Sequence, residues 1–210
     1  MNENYLKIIF VIDESGSMQG TESDVIGGFN NFIEQQKSQP FGKIMVSLYK
    51  FNTDSSRIFN NLPLSEIKPL TQVDYSPGGL TALFDTIGLA ITDNNELDNN
   101  AETSNPNMVM MVIITDGQEN ASRNYNAHLI KELISDREKN KKWQFIYLGA
   151  DLSNFSDADS LGIKNKASSV KNNLRNKFNV ISEHTIFFRM ADPDDYNDQM
   201  MEDFMNDLED

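Results

Sequence analysis

The chain has 210 residues, 18 Lys and Arg against 32 Asp and Glu, a formal net charge of −14 and no cysteine. The missing thiols exclude a disulfide framework, a thiolate zinc site, a cysteine nucleophile and an iron–sulfur cluster. The acidic balance argues against binding nucleic acid through a basic surface. Its opening residues do not read as a secretory signal, and the apolar run Ile8 to Ile12 is too short to span a membrane. The expectation is a cytoplasmic protein with no membrane association, large enough to bury one core.

The charge is unevenly placed. Nine acids and no Lys or Arg fall between Asp192 and Asp210, which leaves 23 acids against 18 bases over residues 1–191, a balance of only −5. The reading is a folded domain over 1–191 followed by an acidic tail over 192–210.

Apolar runs alternate with helix-period segments, the pattern of βα units around a parallel sheet. Leu6 to Ile12 is a near-continuous apolar run, as expected of a central strand covered on both faces. Val25, Ile26, Phe29, Phe32 and Ile33 then mark a helix, with Thr21 and Asp24 resembling a capping box at its start. Ile44 to Phe51 alternates more clearly and belongs nearer an edge. The short turn to Arg57-Ile-Phe59 predicts an antiparallel hairpin.

Pro77-Gly78-Gly79 opens a helix carrying Leu83, Ile87 and Ile91, and Asn94 to Asn107 reads as a polar loop. Met108 to Ile114 is a second fully apolar strand, whose methionines read as core filler. Leu129, Ile130, Leu133 and Ile134 mark a helix, Trp143 to Leu148 a strand, Phe155 to Leu161 a short helix, and Ala167 to Ser169 a small edge strand. Val170, Leu174, Phe178, Ile181, Thr185 and Phe188 step at helical spacing, which favours one long helix over a break near His184. Together these elements predict a doubly wound α/β sheet.

The informative segment is Asp13-Glu14-Ser15-Gly16-Ser17, directly after the first central strand. In open α/β sheets ligands bind beyond the carboxyl ends of strands, near a topological switch point. One carboxylate and two hydroxyls at alternate positions offer hard oxygen donors, which suit Mg²⁺ in its octahedral shell at roughly 2.0–2.1 Å. Two further loops belong at the same edge. Gly78-Gly79-Leu80-Thr81 offers the Thr81 hydroxyl, and Thr115-Asp116-Gly117 offers a carboxylate. Asp-x-Ser-x-Ser alone could equally be a helix cap and turn; its combination with Thr81 and Asp116 is what points to a metal.

In these residues the chain resembles a von Willebrand factor type A domain. Asp13, Ser15 and Ser17 match the family's D-x-S-x-S pattern, Thr81 in Gly-Gly-Leu-Thr-Ala-Leu-Phe-Asp matches its threonine, and Asp116 in Ile-Ile-Thr-Asp-Gly its aspartate. The resemblance, to intracellular bacterial or phage members, implies about six strands with one antiparallel edge strand and helices on both faces. It also implies a complete metal-ion-dependent adhesion site. Ser15, Ser17 and Thr81 would ligate Mg²⁺ or Mn²⁺ directly, and Asp13 and Asp116 directly or through water. An open coordination position would take a carboxylate from the Asp or Glu of an unknown partner protein, in some cases within a multi-protein assembly.

The function expected is therefore a non-enzymatic, metal-dependent protein-interaction module. Two other readings stay in view: an Mg²⁺-dependent phosphoryl hydrolase, which would want a carboxylate where Ser15 stands, and a metal-free scaffold. Glu14 is expected on the rim of the site, and Asp85 and Glu119 as solvated or supporting residues. His128 and His184 are read as surface or capped side chains, the latter near a helix end. The bases between Lys131 and Lys142 and between Lys164 and Lys177 are read as solvated helix faces. In the tail, Asp192 to Asp198 lacks the central glycine of a calcium loop. Met200, Met201, Phe204, Met205 and Leu208 form one helical stripe there, open to three readings: a disordered segment, a helix docked on its own domain, or a partner-binding helix.

Overall fold

A computed structural model describes residues 4–96, 106–139, 142–149, 155–168, 173–191 and 197–209. Six strands form one sheet: β1 (Tyr5–Asp13), β2 (Lys43–Phe51), β3 (Ser55–Pro63), β4 (Met108–Thr115), β5 (Trp143–Gly149) and β6 (Asn165–Ser168), in the spatial order β3-β2-β1-β4-β5-β6. All neighbours pair in parallel except β2 and β3, whose hairpin carries register shifts between Val46 and Tyr49. Strand β3 is longer than the three residues expected, because partly polar residues on both sides of Arg57–Phe59 also pair with β2.

The helices are α1 (Glu22–Lys37), α2 (Leu83–Glu96), α3 (Ala127–Glu138), α4 (Phe155–Leu161), α5 (Leu174–Met190) and α6 (Asp198–Glu209). Among the described residues none is long and apolar enough to cross a membrane. The strand period of two assigns the core. Ile8, Phe10 and Ile12 face α1, α5 and α6, whereas Ile9 and Val11 face α2, α3 and α4. Every residue of β1 is buried, which is why its sequence is apolar without alternation. On the first face the Phe10 ring meets Phe29 at 5.5 Å and Phe32 at 5.1 Å, both edge-on. Gly28 lets α1 approach α5, since a Cβ there would lie 2.4 Å from the Phe178 ring.

Several local expectations give way to tertiary contacts. Thr21 precedes α1 but makes no side-chain cap; its hydroxyl donates to Met18 O at 2.7 Å, so the expected capping box does not form. Asn94 belongs to α2 rather than to a loop. It is buried, donates to Ala90 O at 2.8 Å and accepts from the Ser47 hydroxyl at 3.2 Å. The rest of that expected loop, over 97–105, lies outside the described residues, as do Ser169, Val170 and the segment 192–196. Helix α5 runs without a break through His184, which sits inside the helix and not near its end.

Within the acidic C-terminal segment, Asp198–Glu209 form a docked helix. Phe204 and Leu208 of α6 are fully buried in the α1/α5 layer of the core. The Lys177 ammonium, buried rather than solvated, donates to Leu208 O. His184 Nε2 lies 2.7 Å from Asp207 Oδ2, and its ring lies 4.5 Å from that of Phe204. Apolar burial at i and i+4 thus recruits a helix whose outer face is acidic.

Truncating a buried aromatic leaves a cavity as well as lost transfer energy, about 3–5 kcal/mol. Phe204→Ala should therefore lower unfolding stability by that amount in urea titrations, whereas Phe187→Ala, at a half-exposed position of α5, should cost under about 1 kcal/mol. Equal small effects for both would show that α6 adds nothing to the core.

Candidate metal centre

Strand order makes the site. From β1 the chain builds β2 and β3 on one side of the sheet, then returns to place β4 on the other side of β1. The loops after β1 and β4 therefore diverge and leave a crevice at the carboxyl edge. Asp13 is the last residue of β1, and Asp116 follows the last residue of β4.

Asp13 is fully buried. Its Oδ1 accepts from the Ser15 backbone N–H at 2.6 Å and its Oδ2 from the Thr115 hydroxyl at 2.6 Å. The Ser15 and Ser17 hydroxyls are 2.9 Å apart, and the Ser17 hydroxyl donates to Asp116 Oδ1 at 2.6 Å. Thr81 is brought in from the third loop, where Gly16 N–H donates to Gly79 O at 3.1 Å. The common focus is seen at Gly117. A Cβ added there would lie 3.1 Å from Thr81 Oγ1, 3.4 Å from Ser17 Oγ and 3.5 Å from Asp13 Oδ2. Oxygens from the end of β1, the loop after it and the loop before α2 thus lie around one point beside Gly117 of the loop after β4, which a residue without a side chain leaves clear, and Ser15 and Asp116 join through their contacts with Ser17. All five residues singled out in the sequence come together here.

The donor set fits a hard divalent cation. Among the described residues no three His, Asp or Glu side chains gather, so two carboxylates are combined with neutral hydroxyls. Burial pushes the Asp13 carboxyl above its ordinary range, against the Thr115 and Ser15 hydrogen bonds, and the nearby Asp116 charge acts in the same direction as burial. A divalent cation would offset that unfavourable ionisation. Ser15, Ser17 and Thr81 would supply neutral oxygens to Mg²⁺ or Mn²⁺, with Asp13 and Asp116 supplying charge.

The surrounding residues hold the loops in place. Glu14 is buried rather than on the rim. Its Oε1 accepts from Lys50 Nζ at 2.7 Å and from Ser76 N at 2.6 Å, so it ties β2 and the 74–76 turn to the end of β1. Tyr75 donates its hydroxyl to Asp13 O at 2.6 Å. Glu119 accepts from the N–H groups of Phe84, Ala121 and Ser122 at 2.7–2.9 Å, and Asn120 Oδ1 accepts from Thr81 N at 2.9 Å. Asp85 accepts from the N–H groups of Arg123, Asn124 and Tyr125 at 2.8–2.9 Å. Asp85 and Glu119 therefore act as supports, as expected, by stitching the Thr81 loop to the Asp116 loop. His128 is exposed on α3 beside Glu132.

Thr115, Tyr75 and Gly117 were not singled out from sequence. A hydroxyl closing the apolar run of β4 is a usable signal for Thr115. Tyr75 carries none, because its contact with Asp13 spans 62 residues.

With this geometry in view, the sequence model of the von Willebrand factor type A domain family matches residues 7–202, and the chain belongs to that family. No curated protein matches the sequence. Among solved structures, the PilB minor pilin of Streptococcus sanguinis is similar at 14% identity with a TM-score of 0.68, over 94% of this chain and 64% of the pilin. The vWF domain of the type V pili tip protein Mfa5 of Porphyromonas gingivalis is similar at 12% identity and a TM-score of 0.60, over 91% of this chain and 98% of that one. A von Willebrand factor type A protein of Catenulispora acidiphila is similar at 11% identity and a TM-score of 0.58, over 87% and 43%. At these identities the likeness is one of fold. This chain spans less than two thirds of the pilin's length.

Asp85 supplies a pH test of the loop stitching. Burial raises its carboxyl pKa, but the hydrogen bonds from Arg123, Tyr125 and Asn124 outweigh this and hold it below the ordinary value of 3.8. A depressed folded-state pKa stabilises the protein above the unfolded value and loses that contribution as pH falls through the folded one. The wild type should lose this contribution on acidification below roughly pH 4, where the carboxylate takes up a proton and can no longer accept all three N–H groups. Asp85→Asn should be less stable at pH 7 and should lack that acid-dependent part in denaturation curves measured from pH 7 to 3. Parallel curves for both proteins would exclude this role.

Proposed function

We propose that the chain is a non-enzymatic protein-interaction module that binds a divalent cation, Mg²⁺ or Mn²⁺, and through it a carboxylate of a partner protein. The observation that carries the reading is the focus of Asp13, Ser17 and Thr81 oxygens beside Gly117, with the Ser15 hydroxyl and the Asp116 carboxylate in hydrogen-bond contact with Ser17. Family membership supports it, since von Willebrand factor type A domains commonly mediate protein–protein interaction. Two similar folds belong to pilus proteins, which agrees with a role in multi-protein assemblies.

A bound cation of this kind supplies one exchangeable coordination position that can accept an external oxygen anion. The protein's own residues decide that an anion is accepted. Three neutral hydroxyls and two carboxylates leave the cation electrophilic, whereas more carboxylates would hold it harder and neutralise it. Ser17 is exposed, while Asp13, Ser15 and Thr81 are buried, so a partner approaches from the Ser17 side. Ser15 stands where a hydrolase of the phosphoryl-transfer type would place a general acid, and a hydroxyl does not serve there at neutral pH.

Titration calorimetry with Mg²⁺ and Mn²⁺ should give saturable binding. At a hundredfold excess over Kd the cation should stabilise the fold by about 2.7 kcal/mol, a thermal shift of roughly 5–10 °C for a domain of this size. Asp13→Ala and Thr81→Ala should abolish heat and shift. Gly117→Ala, whose Cβ would enter the focus, should weaken binding at least about tenfold, roughly 1.4 kcal/mol, with an unchanged circular dichroism spectrum. Absence of heat and shift in the wild type would replace this reading with the scaffold. For the carboxylate, proteins captured in Mg²⁺ and released by EDTA should be missed by Asp13→Ala; equal capture by both would remove the metal from the interaction.

A further inference from the structure

At the amino end of the parallel strands, away from the metal centre by the length of β4 (about 25 Å at roughly 3.3 Å per residue), lies a groove of about 720 Å³. Its apolar lining is Met108 and Trp143 at the starts of β4 and β5, Phe188 of α5, and Met200, Met201 and Met205 of α6. The three methionines of α6 are half-buried, so they cover the core with one side and offer thioethers to the groove with the other. Unbranched, polarisable methionine side chains repack around apolar anchors of different shape.

The charge along this groove is one-sided. Of its two lysines, Lys166 is paired with Asp159 and lies over the Phe155 ring, and Lys164 lies close enough to Glu138 to act on its carboxyl. Among the described residues, Asp198, Glu202 and Glu209 on the α6 side have no cationic partner. Elsewhere on α6, outside the groove, Asp203 is exposed and Asp207 lies against His184 of α5. A floor of methionine and aromatic carbon under an acidic lip is complementary to a segment with apolar anchors on one side and Lys or Arg on the other. It is not complementary to a second copy of this chain, which carries −14 and the same acidic α6. An anionic membrane or a nucleic acid would be repelled in the same way.

We propose that this groove is a second docking surface, independent of the metal centre, for a basic amphipathic helical segment of a partner protein. Its apolar side lies on Met200, Met201 and Met205, and its cationic side faces Asp198, Glu202 and Glu209. The chain then joins two partners by opposite chemistry: an anion at the carboxyl edge of the sheet, and a basic segment at the amino edge.

Methyl-labelled methionine NMR of the full chain tests this with two probes, a Leu/Lys amphipathic peptide and its Leu/Glu counterpart of the same pattern. The expected result is saturable movement of the Met200, Met201 and Met205 methyls with the Leu/Lys peptide alone, unchanged by EDTA. Glu202 and Glu209 are exposed and lie beyond the first turn of α6, so Glu202→Lys/Glu209→Lys should leave the circular dichroism spectrum unchanged and weaken binding at least about tenfold. Movement with the Leu/Glu peptide, insensitivity to the charge reversal, or shifts confined to other methionines would each overturn the proposal. Concentration-dependent shifts of the same methyls without peptide would assign the groove to a second copy instead. An EDTA-sensitive response would return the effect to the metal centre, so the two readings fail separately.

Discussion

The carboxylate of Asp13 is the group around which this end of the molecule is organised. It terminates the most deeply buried strand of the sheet, where an ionised side chain is unfavourable unless hydrogen bonds or a cation compensate for it. The Ser15 N–H and the Thr115 hydroxyl provide part of that compensation, and both require the chain to turn back immediately after β1 and to end β4 alongside it. The turn presents Ser15 and Ser17; the adjacency of β4 presents Asp116. Placing one charge at the topological switch point therefore constrains most of the site at once.

The remaining constraint is the placement of Thr81, which no strand end holds. Reciprocal bonds between the 81–86 and 117–125 segments do so, with Glu119, Asn120 and Asp85 each using a side-chain oxygen to satisfy backbone N–H groups that a helix start or an irregular loop leaves open. Acidic residues near a cation site are easily mistaken for ligands. Here their oxygens are committed to backbone donors, and this keeps the donor set of the focus rich in neutral hydroxyls.

The acidity of the chain also separates by location. The body is mildly negative, and two of its acids lie at the candidate metal centre, so under the proposed function an anionic partner would be recognised by direct coordination and not by long-range attraction. Among the described C-terminal acids, Asp198, Glu202 and Glu209 belong to a helix anchored in the core by Phe204 and Leu208, and they border a methionine-lined groove at the other edge of the sheet. The same −14 thus bears on two surfaces with opposite requirements.

The apolar runs of β1 and β4, the alternation of β2 and the helical spacing of α1 and α5 were sufficient for the six-stranded α/β class, because burial on one or two faces writes itself into local periodicity. The five oxygen-bearing residues were legible for a related reason: each stands at a strand end or helix start marked by that periodicity. What only the tertiary structure decided were contacts between residues far apart in the chain. Glu14 is buried because Lys50, 36 positions on, neutralises it. Thr21 does not cap α1 because Met18 O takes its hydroxyl. Asn94 is buried in α2 because the Ser47 hydroxyl donates to its Oδ1 and its amide donates to Ala90 O. The stripe Met200 to Leu208 could have served a partner, its own domain or neither. Phe204 and Leu208 of that stripe dock on their own domain because Phe188 of α5 offers apolar surface and the buried Lys177 a hydrogen-bond donor, neither of which any local pattern in 192–210 encodes.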